Sequence, residues 1–207
     1  MMSSSYAKGV DFDGLYSVVV LDLEFIDEVR KKIIQIAARD TGTAKAFNEL
    51  VNPLRSIPPI TTEITGITNE KVSGKQIFFY VGRRFINWLK EISNNFKKVI
   101  IMIAHNGRHS DFPLLVKEYF DARVHFPYYS VVFWDSLFTL RKMKQLGIVP
   151  SASLGMCYQY LFSSPLPNAH DAAADVEGLI KVLEKLLKCK LCSYEACNAL
   201  YNDNLGY

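Results

Sequence analysis

The 207-residue chain lacks any hydrophobic run long enough to span a membrane as a helix, which takes about 20 residues. Its longest apolar runs, at 18–21 and 99–104, have the length of single β-strands. The N-terminus, Met-Met-Ser-Ser-Ser-Tyr, lacks the apolar core of a secretory signal peptide. We therefore expect an intracellular protein, cytoplasmic or nuclear, with no membrane partner.

Cysteine is scarce, with four residues at 157, 189, 192 and 197. An intracellular compartment would keep these thiols reduced. Cys189 and Cys192 form a C-x-x-C pair, but no second pair or histidine pair lies nearby to complete a zinc site. The segment continues a helical pattern, so we interpret both cysteines as packing or solvent-facing thiols.

Internal repeats, low-complexity stretches and a strongly basic tail are also absent. The net charge of +3 permits a nucleic-acid partner without demanding one, so any affinity for phosphate must come from a local groove. The 49% hydrophobic content is ample for one core. We predict one domain over residues 15–200, with a flexible lead-in at 1–14 and a short tail at 201–207.

Hydrophobic periodicity predicts a mixed sheet flanked by helices, in the α/β class, with an N-terminal run of strands before helices and strands alternate. Pro53, Pro58 and Pro59 predict a loop after the third strand. The predicted strands are Tyr16–Phe25, Lys32–Arg39, Ala44–Val51, Lys98–Ala104 and Val131–Trp134. The predicted helices are Lys75–Phe96, Asp111–Tyr119, Ser136–Lys144, Ser153–Phe162 and one that starts near Asp171.

Asp22 and Glu24 lie two residues apart in the first predicted strand, so their side chains share one face of the sheet. Two carboxylates on an apolar strand repel each other and lose hydration, and a cation would offset both costs. The alternative is a strand end with solvated acids.

A second motif follows the fourth predicted strand, where His105 and Asn106 lead to Asp111 at the start of a helix. Functional sites in α/β sheets gather at such carboxyl ends of strands. Asp111 could instead serve only as a helix N-cap. His109 suits a surface or phosphate contact, and His125 lies in an aromatic stretch that suggests packing or a surface position.

The third motif is His170-Asp171-Ala172-Ala173-Ala174-Asp175. Its alanines would let the last helix approach the sheet closely and bring Asp175 near Asp22. His170 precedes the helix on a loop, and an imidazole that titrates near neutral pH suits a general base for water. The alternative is an ordinary helix start with Asp171 as its cap.

Together these motifs resemble those of the DEDDh 3′–5′ exonucleases of the ribonuclease-H-like superfamily, most of all the three-prime repair exonuclease branch. Ala104–Leu115 matches that branch's second motif, and Ile64–Ile67 matches its Ile-Thr-Gly-Leu segment. Ser153–Tyr160 and His170–Asp175 match the region that leads into the third motif. The resemblance spans about residues 16–188 and implies a ribonuclease-H-like mixed β-sheet flanked by α-helices.

The resemblance also implies roles for the acidic residues and the histidine. Asp22, Glu24 and Asp175 would coordinate a tightly held Mg²⁺, Asp22 would bridge to a second ion, and Asp111 would hold a water ligand of that ion. His170 would deprotonate the attacking water. Mn²⁺ is expected to substitute for Mg²⁺. The residues expected to contact the terminal nucleotide or shape its loop are Leu23, Phe25, Ile64, Thr65, Gly66, Ile67 and Asn106.

The function implied is two-metal hydrolysis of single-stranded or frayed 3′ ends of DNA to nucleoside 5′-monophosphates, as in DNA repair. A homodimer through the edge strand at 44–51 is also expected. Phe25-Ile26-Asp27 and Ser110 depart from the family's pattern, which has Ala-Thr-Gly or Thr-Thr at the first place and an aromatic residue at the second. Three alternatives stay open: an exonuclease acting mainly on RNA, a catalytically inert nucleic-acid-binding module, and a structural or interaction protein with coincidental acids.

Overall fold

The computed structural model describes residues 14–26, 31–193 and 196, where the chain forms one five-stranded mixed sheet with helices on both faces. The predicted α/β class is confirmed. The expected tail at 201–207, most of the expected lead-in at 1–14, Asp27 and Cys197 lie outside the described residues. The strands are β1 (Tyr16–Ile26), β2 (Lys32–Asp40), β3 (Ala46–Leu50), β4 (Val99–Ala104) and β5 (Val131–Asp135).

The sheet order is β3-β2-β1-β4-β5, so the first strand lies at the centre. β1 pairs antiparallel with β2 and parallel with β4, and β5 extends the parallel half. Asp22 stands opposite Ala37 of β2, Glu24 stands opposite Gln35, and the register shifts between Glu24 and Phe25. Because β1, β4 and β5 are parallel, their carboxyl ends lie at the same end of the sheet. The acidic motif of β1 lies at that end.

Side chains of β1 alternate between two apolar clusters. Val19 and Leu21 belong to a larger cluster on one face, and Val18 and Val20 belong to a smaller one on the other. Helices cover both faces, and in the described residues none is long and apolar enough to cross a membrane. The helices are α1 (Pro59–Thr65), α2 (Asn69–Ser73), α3 (Phe78–Ile92), α4 (Asp111–Asp121), α5 (Ser136–Gln145), α6 (Leu154–Phe162) and α7 (Ala172–Leu187). A 3-10 turn spans Tyr128–Ser130.

The segment after the proline cluster differs from the prediction of a loop. Pro59 is the first residue of α1, where its missing N–H costs nothing, and α2 follows after a short connection. Each of the two helices is too short to show a clear apolar period. The predicted loop is therefore correct only up to Pro58.

Several predicted ends were also wrong. The helix predicted at 75–96 starts only at Phe78, because Ile77 has an extended backbone, and it ends at Ile92, because Asn94, Asn95 and Phe96 have left-handed conformations that a helix excludes. Ala44 has a positive φ as well, and β3 starts only at Ala46. α7 ends at Leu187 with Lys188 left-handed, so the expected helical continuation through Cys189 and Cys192 was wrong. Both thiols are partly buried there.

Leu183 of α7 is 0% exposed and packs in the smaller cluster against β1. Leu183→Ala should lower the free energy of unfolding by about 2–5 kcal/mol, because it leaves a cavity between α7 and the sheet. The matched change Leu146→Ala, at a residue that is 64% exposed, should cost no more than about 0.5 kcal/mol. Urea denaturation measures both. Equal losses would contradict the packing of α7 on β1.

Candidate active site

The centre of the candidate site lies on the face of β1 that α7 covers. Val18 and Val20 of that face pack against α7, and Asp22 and Glu24 continue the same alternation toward the end of the strand. Both acids are partly buried. The prediction that they share one face is confirmed.

The first turn of α7 brings Asp175 to the same place. Ala172 is fully buried, so the helix start approaches the sheet without a bulky side chain between them. Asp171 caps the helix by accepting hydrogen bonds from the N–H groups of Ala173 and Ala174, at 3.0 and 3.1 Å. The capping role predicted for Asp171 is confirmed, and it fixes where Asp175 lies.

Asp22, Glu24 and Asp175 each offer a carboxylate oxygen, and these oxygens all lie within 4.8 Å of one another. Three hard oxygen donors at this spacing suit a divalent cation such as Mg²⁺ or Mn²⁺. Three of the four predicted metal ligands are thus brought together, and they come from both ends of the chain.

The fourth predicted ligand, Asp111, lies beside this group at the start of α4. It is 4% exposed, and its Oδ1 accepts a hydrogen bond of 3.1 Å from the backbone N–H of Leu23, between Asp22 and Glu24 in sequence. The N-cap position belongs to Ser110, so a role for Asp111 as the N-cap alone is wrong. Ser110, where the family has an aromatic residue, lowers the pKa of the Asp111 carboxyl through its hydroxyl, against the larger effect of burial.

The four carboxyl groups hold protons more tightly than exposed acids do. Burial, followed by repulsion from Asp175 and Asp111, raises the pKa of Glu24 to about 8. Burial raises the pKa of Asp111 to about 7 against the opposing effect of its hydrogen bonds, and it raises the pKa of Asp175 as well. The pKa of Asp22 is raised well above its ordinary value by burial and then by Asp111 and Asp175. A cation would favour full ionisation of this group at neutral pH.

His170 lies at the edge of the cluster, exposed and with a left-handed backbone (φ 69°). Its backbone N–H donates to Asp175 Oδ2 at 3.1 Å, which ties the residue before α7 to the carboxylates. This hydrogen bond holds His170 close to the carboxylates while its side chain stays exposed to solvent.

The residues predicted to contact a nucleotide differ in how far their side chains are exposed. Leu23 is 4% exposed in the larger cluster, and Phe25 packs against the same cluster with Lys31 Nζ 4.9 Å from its ring centre. Ile64 is 51% exposed at the end of α1, whereas Ile67 is buried. Thr65 donates to the Thr61 carbonyl, and Gly66 closes α1 with φ 68°. Asn106 is exposed in the loop before α4. The structure offers Ile64, Thr65 and Asn106 as accessible surfaces and places the side chain of Leu23 away from the carboxylates.

An open groove of about 760 Å³ is lined in part by Asp171, the capping residue of α7, and by Gln35 of β2. Gln35 stands beside Glu24 in the sheet, and its Nε2 donates to Asn48 Oδ1 at 3.0 Å on the groove lining. Lys71 and Lys75 add positive charge to that lining. These residues were not predicted from the sequence, where the available signal was a single glutamine within the apolar run of β2; the structure shows that this glutamine is buried.

Comparison with known proteins identifies the family to which this arrangement belongs. The exonuclease family model RNase_T matches residues 19–183. The chain belongs to this exonuclease family. Exonuclease DPD1, chloroplastic/mitochondrial, of Arabidopsis thaliana is 32% identical over 194 residues, and three-prime repair exonuclease 1 of Homo sapiens is 27% identical over 142 residues. The match to DPD1 covers 87% of this chain and 59% of DPD1, and the match to the human protein covers 65% of this chain and 44% of that protein. The chain therefore spans about half the length of these relatives.

Solved structures agree with the fold. The nuclease domain of 3′hExo, a DEDDh family member bound to rAMP, has a TM-score of 0.67 at 16% identity, over 83% of this chain and 92% of that one. Exonuclease I has a TM-score of 0.69 at 18% identity, over 84% of this chain and 41% of that one. The predicted membership of an exonuclease family with three-prime repair exonuclease relatives is confirmed by the family match, and the predicted ribonuclease-H-like fold is confirmed by these structures.

The raised pKa values make the stability of the metal-free protein depend on pH. A folded pKa above the unfolded value of about 4 means that ionisation opposes folding, so this penalty grows as pH rises from about 5 to 8. Asp22→Asn removes one charge from the cluster, and its stability relative to wild type should therefore increase over that range. Thermal unfolding in chelator measures the difference.

Mn²⁺ should reverse that order by stabilising wild type more than Asp22→Asn, and more so at higher pH. Asp121→Asn is the control, because Asp121 is an exposed acid whose pKa is lowered by Lys117, and it should show no growing gain. A difference between wild type and Asp22→Asn that stays constant with pH would contradict the electrostatic account.

Proposed function

We propose that the protein is a metal-dependent 3′–5′ exonuclease that hydrolyses single-stranded or frayed 3′ ends of DNA to nucleoside 5′-monophosphates. The observation that carries the proposal is the group formed by Asp22, Glu24 and Asp175, whose oxygens lie within 4.8 Å of one another. Carboxylates with raised proton affinity on a buried strand end serve no packing purpose, and they suit the binding of divalent cations.

In this proposal Asp22, Glu24 and Asp175 would hold one cation, Asp22 would also contribute to a second, and Asp111 would hold a water ligand of that second cation. Mg²⁺ is the expected ion, with Mn²⁺ as a substitute. Two such cations supply charge that stabilises the attacking and leaving oxygens of a phosphodiester and lowers the pKa of water. The hydrogen bond from Leu23 N–H to Asp111 Oδ1 keeps that carboxylate beside the strand that carries the other ligands.

His170 is the proposed general base. His170 is exposed beside Asp175, to which its backbone N–H donates, and from there its imidazole would reach a water molecule next to a bound scissile phosphate. The ring would accept the proton of the attacking water, whose oxygen forms the new bond to phosphorus as the 3′ oxygen departs. General bases contribute about 10²–10⁴-fold to such reactions.

The terminal nucleotide would lie between the carboxylates and the exposed Ile64, next to the groove that Thr65 and Lys71 line. An exposed isoleucine offers an apolar contact to a base, and lysine attracts phosphate. A single-stranded end fits this proposal, because the base must be free of its partner strand. Phe25 and Asn106 are proposed to shape the same pocket from the β1 and α4 sides.

An exonuclease acting mainly on RNA is the second candidate, because the solved 3′hExo nuclease domain with the same fold is bound to rAMP. The choice depends on how the site accommodates a 2′-hydroxyl. We also propose that β3, which lies at the sheet edge, pairs with its copy in a homodimer. A role in DNA repair and a cytoplasmic or nuclear location stay predictions.

The test is digestion of matched single-stranded DNA and RNA, each labelled at the 3′ or the 5′ end, with Mg²⁺ or with chelator. We expect Mg²⁺-dependent release of mononucleotide from the 3′ end, faster on DNA, and no release by Asp22→Asn. Faster release from RNA than from DNA would show that RNA is the preferred substrate. Binding without cleavage would instead support the inert binding module.

His170→Ala should lower kcat by about 10²–10⁴-fold while metal binding and nucleic-acid affinity stay near wild type, because the base acts after binding. Single-turnover digestion measures the rate, and calorimetry with Mn²⁺ measures the binding. The matched control is His125→Ala, at an exposed histidine whose ring stacks beside Tyr129. Near-normal turnover of His170→Ala would remove this residue from the mechanism.

A further inference from the structure

Asp135 has no role in the proposed mechanism. It connects the start of α5 with the loop between β4 and α4. It is the last residue of β5 and is 5% exposed. Its Oδ1 accepts from the backbone N–H of Leu137 at 2.9 Å and so caps α5. Its Oδ2 accepts from the backbone N–H of Arg108 at 3.0 Å, in the loop between β4 and α4. One oxygen therefore serves the helix, and the other holds the loop.

The loop that Asp135 holds is closely packed. A Cβ on Gly107 would lie 2.7 Å from Ala104 Cβ and 2.7 Å from the Phe112 ring, so only glycine fits without displacing a neighbour. The Phe112 N–H donates to the Gly107 carbonyl at 2.9 Å, which joins the loop to the first turn of α4. A shift of the loop at residue 108 would therefore move the start of α4.

A second contact fastens the same loop to α5. His105 Nδ1 lies 3.1 Å from the Oγ of Ser136, a fully buried residue that follows Asp135 in the chain. This contact fixes the beginning of the loop, whereas Asp135 fixes its middle. Both anchors come from the β5–α5 junction.

The far end of the loop carries Asp111. Its Oδ1 accepts from Leu23 N–H, the backbone group between Asp22 and Glu24. A continuous set of contacts thus runs from Asp135 to the Arg108 N–H, along the loop to Asp111, and on to β1. Groups that hydrogen-bond a metal ligand directly typically change metal affinity or activity by about 10–100-fold when removed, which sets the upper bound for a residue that acts through the loop.

We propose that Asp135 is a positioning residue that holds the 105–110 loop so that Asp111 lies against β1 beside the other carboxylates. The inference rests on the proposed function for its effect on turnover, but the positioning itself can be measured without substrate. Asp135 is not one of the proposed ligands or nucleotide-pocket residues, although, besides burial, its charge helps to raise the pKa of Asp111. Its positioning effect passes through the Arg108 N–H and the loop, and Asp135→Asn, which removes the charge as Asp135→Ser does but keeps one amide oxygen, separates that effect from the loss of charge.

Two substitutions separate its two roles. Asp135→Ser keeps one oxygen for the α5 cap but offers no second acceptor to Arg108 N–H, whereas Asp135→Ala removes both interactions. Both should lose the loop contact equally, and only Asp135→Ala should also lose the cap. Asp135→Asn, which keeps the shape but only one acceptor oxygen, is the variant to use if Asp135→Ser fails to fold.

The decisive readout is amide hydrogen exchange of the metal-free protein. In Asp135→Ser the amides of Arg108 and Leu23 should exchange at least about 10-fold faster than in wild type, while amides in the middle of β1 keep their protection. Loss of the cap alone would not reach Leu23, because that amide lies in another strand. Unchanged exchange at Leu23 would overturn the proposal.

Two further measurements link the loop to the site. Calorimetry with Mn²⁺ should show affinity reduced by up to about 100-fold in Asp135→Ser, and kcat should fall similarly with KM nearly unchanged. Unchanged Mn²⁺ affinity in a folded variant would contradict the positioning role. If wild type itself degrades no nucleic acid, the exchange and calorimetry results still decide the role of Asp135, so failure of the proposed function is recognised separately.

Discussion

Repulsion among carboxylates is the constraint around which this end of the molecule is built. Asp22, Glu24 and Asp175 hold oxygens within 4.8 Å of one another at partly buried positions, which is unfavourable for three anions. Packing elsewhere in the fold offsets this repulsion and keeps the three carboxylates together. Val18 and Val20 pack β1 onto α7, and the Asp171 cap fixes the first turn of that helix, so the carboxylates cannot separate without disrupting the smaller cluster.

The same constraint explains why the ligands come from distant parts of the chain. Two acids on one strand share a face only because side chains alternate, and a third must arrive from another element. α7 supplies it through an alanine-rich first turn, and α4 supplies Asp111 through a loop anchored at both ends. Each contributor is a rigid strand or helix terminus rather than a free loop, which favours a fixed arrangement of oxygens.

Much of this could be predicted from sequence. The alternation of Asp22 and Glu24 and the approach of Asp175 on an alanine-rich helix follow from local periodicity, as does the Asp171 cap. The order of the strands does not, because hydrophobic periodicity carries no pairing information. The contacts of Asp135 with Arg108 and of Gln35 with Asn48 join residues remote in sequence or on different strands, and only tertiary geometry reveals them. α1 and α2 escaped prediction because two short helices that follow prolines have too few residues to show a period.

The central claim is that the carboxylates on β1 and α7 hold a divalent cation. Crystals of the full chain grown with Mn²⁺, with diffraction collected at the manganese absorption edge, would locate that ion directly. The account predicts an anomalous peak bonded to oxygens of Asp22, Glu24 and Asp175, and loss of that peak in Asp22→Asn. An occupied manganese site elsewhere with no peak among these three carboxylates would contradict it.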